Sequence, residues 1–128
     1  MIDPSLLNYS QGYVNGQTEA YEKAMKEGTW DWNKFPDDHQ TPSALRVVEV
    51  DGKLVSLDNR RLLAAQNEGL TEVPIIRVQP GDSMPGGGTY GKNLKGKLNS
   101  RPKNRPDLPK INLPATGSNV KPIVIACH

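Results

Sequence analysis

Residues 47–78 of this chain read VVEVDGKLVSLDNRRLLAAQNEGLTEVPIIRV. Two apolar runs, residues 47–50 and 53–57, flank the dipeptide Asp51-Gly52. Asp-Gly between two such runs favours a tight hairpin turn, because both central residues of that turn need positive φ. The stretch therefore predicts a β-hairpin, and the neighbouring segments extend the prediction on both sides.

The segment after the hairpin combines a helix start with two cations. Asp58-Asn59 is good N-cap chemistry, residues 60–68 favour a helix, and Gly69 can end it. Arg60 and Arg61 then fall at the positive end of the helix dipole, which does not favour cations. One interpretation is that the start of this helix binds a phosphate at the edge of a sheet. The other is that Asp58 is only an N-cap and both arginines are solvated charges.

Other elements can be predicted on either side of this stretch. Residues 18–27 carry apolar side chains at helical spacing and favourable i,i+4 charge pairs, which indicates a helix. Residues 73–78 predict a strand, and their proline favours an edge position or a strand start. Residues 120–126 fit a final short strand, whereas residues 1–17 and 80–109 have the composition of turns and loops. The predicted fold class is α+β, a small mixed sheet with α-β-β-α-β order and a basic, loop-rich C-terminal third.

The composition predicts one domain with a small core. Of the 128 residues 35% are hydrophobic, while Gly and Pro contribute 12 and 11, so we expect extensive loops. The domain should span residues 1–128, with an ordered α/β core at 1–79 and a basic Gly/Pro-rich extension at 80–128. The single cysteine excludes an internal disulfide, and the sequence shows neither zinc-ligand spacing nor a membrane-spanning apolar run. The first residues lack signal-peptide features, which leaves export within a longer protein open.

The charge is distributed unevenly along the chain. The formal net charge is +2, yet residues 1–79 hold 8 Lys/Arg and 12 Asp/Glu, whereas residues 80–128 hold 8 and 2. This asymmetry favours a polyanion or an acidic protein as partner of the basic half, with a solvated basic tail as the alternative. The cations expected to neutralise nucleic-acid phosphates are Lys92, Lys95, Lys97, Arg101, Lys103 and Arg105.

The residue types of this chain suit the cleavage of a phosphodiester. Its cleavage needs an acid, a base and cations for the charge that builds on phosphorus. Arg60 and Arg61 can supply the cations, and Asp58, His39 or His128 the acid or base, although both histidines are more typical of exposed loops and chain ends. No clustered Asp/Glu set suggests a two-metal site, which favours a reaction without metal or cofactor. RNA is then the favoured substrate, because its 2′-hydroxyl is an internal nucleophile.

The ordered set of motifs resembles the ParB/sulfiredoxin-like fold, and more closely the ParB-like C-terminal toxin domains of bacterial polymorphic toxins. The segments that carry the resemblance are Tyr9-Ser10-Gln11, Gly28-Thr29-Trp30, the Asp-Gly hairpin, Leu57-Asp58-Asn59-Arg60-Arg61 before a Leu-Leu-Ala-Ala helix, and Leu113-Pro114-Ala115-Thr116-Gly117. The resemblance covers residues 2–80 well and the remainder loosely. Asn59 and Arg60 stand where the sulfiredoxin-type turn has Cys and His, which counts against redox repair chemistry.

The resemblance implies a toxin module at the end of a large exported effector, such as a contact-dependent growth inhibition protein or an Rhs-type protein. It implies nuclease activity in the cytoplasm of the target cell and a cognate immunity protein, which the basic half predicts to be acidic. The catalytic positions that it implies are Ser10, Gln11, Asp58, Asn59, Arg60 and Arg61. The predicted function is therefore an antibacterial nuclease toxin, an RNase rather than a DNase. The alternatives are a nucleotide-hydrolysing or phosphotransfer enzyme on the same fold, and a non-catalytic nucleic-acid-binding module.

Overall fold

The computed structural model describes residues 1–32, 44–84, 87–99 and 105–125. This part of the chain forms a small mixed α+β domain with three α-helices and a four-stranded mixed sheet. The elements in chain order are a 3-10 helix (Pro4–Leu6), β1 (Leu7–Tyr9), β2 (Tyr13–Asn15), α1 (Gln17–Glu27), β3 (Leu45–Val50), β4 (Lys53–Ser56), α2 (Asn59–Asn67), β5 (Ile75–Arg77), α3 (Tyr90–Leu98) and β6 (Ile123–Ile125).

The predicted hairpin is confirmed and forms the centre of the sheet. Asp51 and Gly52 both have positive φ, 49° and 79°, and Val50 pairs with Lys53 across the antiparallel β3–β4 ladder. β1 adds to β4 in parallel and β5 adds to β3 in parallel, so the strand order is β1-β4-β3-β5. β5 is thus an edge strand, as the proline before it predicted. Helices α1 and α2 match their predicted ranges to within one residue at either end.

Two segments predicted as turn or loop contain regular structure, which corrects the prediction. β1 and β2 lie within residues 1–17, and α3 lies within residues 80–109. The final strand is present but begins at Ile123, three residues later than expected, and residue 126 lies outside the described residues. Within the described residues the element order therefore extends beyond α-β-β-α-β at both ends, and the C-terminal third is not entirely loop. These elements are too short to be stable alone, so tertiary packing decides that they form.

The central sheet is covered on both faces, which explains why α3 forms. Alternate residues of a strand point to opposite faces. Accordingly, Val47 belongs to the apolar cluster that includes Leu62 and Leu63 of α2, whereas Val48 belongs to the cluster that α3 completes. The buried residues of α3 are Tyr90, Leu94 and Leu98, spaced four apart on one face. Helix α3 is therefore docked on the sheet face opposite α2.

The segment before β6 is hydrogen-bonded to β1. The Tyr9 N–H donates to the Ser118 carbonyl at 2.7 Å, and the Ser118 N–H donates to the Tyr9 carbonyl at 2.9 Å. The preceding turn requires Gly117, because its φ is 73° and an added Cβ would lie 2.3 Å from the Tyr9 carbonyl oxygen. β6 then pairs in parallel with β2 as a separate two-stranded sheet. The turn predicted at residues 113–117 is confirmed, and it closes the β1 side of the domain.

Several predicted positions lie outside the described residues. They are His39, Arg101, Lys103 and His128. None of the helices in residues 1–32, 44–84, 87–99 and 105–125 is both long and apolar enough to cross a membrane.

Candidate functional site

The candidate site lies at one end of the central sheet, where four elements meet. β1 and β4 run in parallel and end at this edge, whereas the antiparallel β3 begins there. Helix α2 starts three residues after β4 ends. This topology brings the residues after β1, the first residues of β3 and the first turn of α2 into one cluster. Each of these segments contributes at least one polar side chain.

Asp58 is the centre of an ion-pair cluster. It is 8% exposed, and its carboxylate accepts hydrogen bonds from the Arg46 backbone N–H at 2.7 Å, Arg46 Nε at 3.2 Å and Arg46 Nη2 at 2.8 Å. Arg61 Nη2 lies 2.5 Å from the same carboxylate. Asp58 occupies the N-cap position of α2, but its side chain makes no capping hydrogen bond. The N-cap interpretation is therefore right for the backbone position and wrong for the carboxylate, which is turned towards two arginines.

The environment of Asp58 keeps its carboxylate charged. Burial raises its pKa, but the hydrogen bond from Arg46 and the charges of Arg61 and Arg46 outweigh burial, so the pKa lies below its usual value. Burial lowers the pKa of the Arg61 guanidinium and Asp58 opposes that effect, while the hydrogen bond to Asp58 raises the pKa of Arg46. A carboxylate with a lowered pKa is a weak base and holds no proton to donate near neutral pH. The geometry therefore gives Asp58 the role of holding two guanidinium groups in place.

Ser10 and Asn59 form a buried network that fixes the loop after β1 against α2. Asn59 is 2% exposed and Ser10 is fully buried. Asn59 Oδ1 accepts from the Ser10 N–H at 2.7 Å, and Asn59 Nδ2 donates to Ser10 Oγ at 2.9 Å and to Gln11 Oε1 at 3.2 Å. Ser10 Oγ donates in turn to the Ser56 carbonyl at 2.6 Å. Both the oxygen and the nitrogen of the Asn59 amide are hydrogen-bonded, so Asn59 holds the neighbouring residues in place. Gln11 is the partly exposed member of the network.

Arg60 has different hydrogen-bond partners from Arg61. Its Nη1 donates to Asn15 Oδ1 at 3.4 Å, and its guanidinium carbon lies 5.8 Å from the centroid of the Tyr21 ring. A cation over an aromatic face within about 6 Å is attracted by the ring quadrupole. Arg60 is partly exposed, whereas Arg61 is 8% exposed. Of the two arginines that the sequence singled out, Arg60 is thus the one with more access to a solvent-borne ligand.

The basic run of the C-terminal third divides into two groups. Lys92 and Lys95 are exposed on α3, and exposed Arg105 pairs with Asp107 at 3.0 Å. Lys97 is half-buried and within electrostatic range of Asp58, Arg46, Arg60 and Arg61. The structure therefore brings only this one described member of the run to the predicted helix start.

Two contributors to the site are not part of the predicted catalytic set. Arg46 pairs with Asp58, and its guanidinium carbon lies 6.0 Å from the centroid of the Tyr90 ring on α3. Nothing in the sequence around Arg46 indicates its pairing with Asp58, because that partner lies twelve residues further along the chain. Tyr90 had no signal, since the segment that contains it was predicted as loop.

The assembled site is strongly positive. Arg46 and Arg61 contact the Asp58 carboxylate, and Lys97 is within electrostatic range of that carboxylate and of Arg46, Arg60 and Arg61. Such a cluster attracts anions, and the helix end adds its own partial positive charge. The described ranges contain no group of three or more His, Cys, Asp and Glu side chains that could hold a metal ion. Comparison with protein-family models, with curated proteins and with solved structures finds no match to this chain.

Proposed function

We propose that this chain is a ParB/sulfiredoxin-like nuclease toxin domain that cleaves RNA in a target bacterium. The observation that supports this proposal best is the cationic cluster at the start of α2, in which Arg46 and Arg61 pair with Asp58 and Lys97 is within electrostatic range of Arg60 and of this pair. Cleavage of a phosphodiester builds negative charge on the phosphoryl oxygens, and preorganised guanidinium groups stabilise that charge. Asp58 supplies the preorganisation, because it holds Arg46 and Arg61 in fixed positions without neutralising the cluster.

The proposed roles follow from the contacts. Arg60 and Arg61 bind the scissile phosphate, Asp58 orients Arg61, and the Ser10–Asn59 network fixes the helix start that presents them. The exposed cations Lys92 and Lys95 bind flanking phosphates of the strand, and these contacts make binding salt-dependent. In this proposal the domain is the C-terminal part of a large exported effector, and an acidic immunity protein binds the basic half in the producing cell.

Induced expression in bacteria, followed within minutes by gel analysis of total RNA and chromosomal DNA, tests the proposal. We expect growth arrest and discrete RNA fragments with intact DNA. Arg60→Ala should abolish the fragments, because it removes a phosphate ligand that is only partly buried. Arg77→Ala is the matched control, since Arg77 is 61% exposed on β5 and pairs only loosely with Glu49 at 3.9 Å. Fragmentation that persists in Arg60→Ala would contradict the assigned site.

A second function is favoured by a specific observation. The ion pairs of Asp58 remove the only carboxylate of the cluster from proton transfer near neutral pH. A module that binds nucleic acid without cleaving it needs no such proton transfer. Healthy growth and intact nucleic acids, together with oligonucleotide binding by the purified chain, would favour this module. Growth arrest without damage to RNA or DNA would instead favour a nucleotide-hydrolysing or phosphotransfer enzyme.

A further inference from the structure

Lys97 differs from the other described lysines of the basic run in how α3 presents it. The packed face of α3 contains Tyr90, Leu94 and Leu98. Lys97 follows Tyr90 by seven residues, which is two helical turns, so both lie on the same side of α3. Tyr90 packs beneath Arg46, and Lys97 is half-buried, whereas Lys95 is exposed. Lys97 therefore lies beside the packed face of α3, and its ammonium group is within electrostatic range of Asp58 and Arg46.

The charges that face Lys97 come from three separate segments. Arg46 belongs to β3, Asp58 to the turn before α2, and Arg60 and Arg61 to the first turn of α2. Burial lowers the pKa of the Lys97 ammonium most, Asp58 opposes this, and the three arginines lower the pKa further. A lysine held among like charges is poised to respond to an arriving anion, since the anion removes part of the repulsion.

We propose that Lys97 binds the same phosphodiester as Arg60 and Arg61, so that the ligand is held between α2 and α3 on opposite faces of the sheet. This inference rests on the phosphate-binding part of the proposed function and not on cleavage. It assigns α3 a place in the site, whereas the sequence suggested only a general electrostatic role for the basic run. It also names the ligand as a single fully ionised phosphodiester rather than the backbone of a long polyanion.

A phosphodiester beside Lys97 should raise the pKa of the ammonium group towards that of an ordinary lysine. Binding at alkaline pH should therefore take up protons, because the free protein is partly deprotonated at Lys97 and the complex is not. Arginine side chains in general do not titrate in this range, so an arginine contact with the phosphodiester contributes no uptake. Proton uptake is thus a readout that a merely structural role of Lys97 would not produce.

The test is isothermal titration calorimetry of the intact chain with a short 2′-O-methyl oligoribonucleotide, which lacks the attacking hydroxyl. Titrations at alkaline pH in two buffers of different ionisation enthalpy give the number of protons taken up. The wild type should take up a measurable fraction of one proton. Lys97→Met should bind at least about tenfold more weakly, which corresponds to about 1.4 kcal/mol, and should show no uptake. Lys97→Arg should retain most of the affinity but lose the uptake, because arginine does not titrate in this range.

Lys53→Met is the matched control, since it removes an exposed lysine at the start of β4, the opposite end of that strand from the site. It should leave the proton uptake unchanged. Wild-type affinity and uptake in Lys97→Met would overturn this inference and leave the proposed nuclease standing. Failure of the wild type to bind the oligonucleotide at all would overturn both proposals. Loss of uptake without loss of affinity in Lys97→Arg would show that a cation at this position binds the ligand and that the proton is taken up by Lys97 itself.

Discussion

Replacing Asp58 by Asn probes the ion-pair cluster that organises the site. The substitution keeps the size of the side chain and one acceptor oxygen, but it removes the charge that faces Arg46 and Arg61. Asp58 is 8% exposed and accepts three hydrogen bonds from Arg46 alone, one of them from its backbone N–H. Breaking a buried ion pair by removing one partner typically costs about 3–5 kcal/mol. Because the Arg46 side chain is 28% exposed and can still be solvated, we expect a loss near the lower end, about 3 kcal/mol.

Equilibrium urea unfolding measures this loss directly. For a small domain the urea dependence is roughly 2 kcal/mol per M, so a loss of this size should lower the midpoint by about 1.5 M. Asp107→Asn is the control, because Asp107 makes an ion pair of similar length with Arg105 at the surface, where such pairs contribute little. The control should leave the midpoint unchanged. An unchanged urea midpoint in Asp58→Asn, at the same urea dependence, would show that the ion pairs of Asp58 do not stabilise the fold as their contacts indicate.

Three further predictions follow from other contacts. Asn59→Asp should cost roughly 2–3 kcal/mol of the free energy of unfolding, because it removes a donor to Ser10 Oγ and places a charge at a site 2% exposed; an unchanged urea midpoint would contradict the network. Gly117→Ala should cost at least about 1 kcal/mol, since it strains a positive φ and brings a Cβ onto the Tyr9 carbonyl; thermal unfolding checks it. Acidification should destabilise the wild type once the pH falls below 3.8, the usual pKa of this carboxyl group. The reason is that Asp58 takes up a proton at a higher pH in the unfolded chain than in the folded chain, where its pKa is lowered. The stability gap to Asp58→Asn should therefore shrink over that window, and a constant gap would exclude a lowered pKa.

The parts of the fold that were predictable from sequence are those with local causes. The Asp51-Gly52 turn needs two positive φ values, which only a few residue pairs accept readily, so the hairpin was visible in a few residues. Helix α1 likewise shows its apolar spacing and charge pairs within residues 18–27. β1 was missed because a three-residue strand has almost no pattern, and its pairing partners lie in β4 and at Ser118.

Helix α3 was missed for a different reason. Three glycines precede it and Gly91 and Gly96 lie within it, which lowers the helix propensity of the whole segment. The apolar face of α3 can be recognised as a packing surface only when the sheet that it packs against is known. Without α3, the sequence could not separate Lys97 from the exposed Lys92 and Lys95.

Part of the candidate cluster could be predicted to lie together, and the reason is physical. Asp58, Asn59, Arg60 and Arg61 are consecutive, so any fold that starts a helix there brings them together. Their separate tasks depend on partners far along the chain, such as Arg46 for Asp58 and Ser10 for Asn59. Local sequence favours Asp58 as a capping residue, whereas the buried ion pairs compete for the same oxygens and prevail in the structure. The catalytic roles of these residues stay predictions until the variants are measured.

The measurement that tests the central claim most directly is the mapping of amide chemical shifts while a 2′-O-methyl oligoribonucleotide is titrated into the chain. If the cationic cluster binds a phosphodiester, the largest shifts should fall on residues 58–61 and on the last turn of α3 around Lys97, and they should weaken as salt is added. Arg60→Ala should suppress them, whereas Arg77→Ala should not. Shifts confined to the exposed cations Lys92, Lys95 and Arg105, with residues 58–61 unperturbed, would contradict the claim that the start of α2 is the phosphate site.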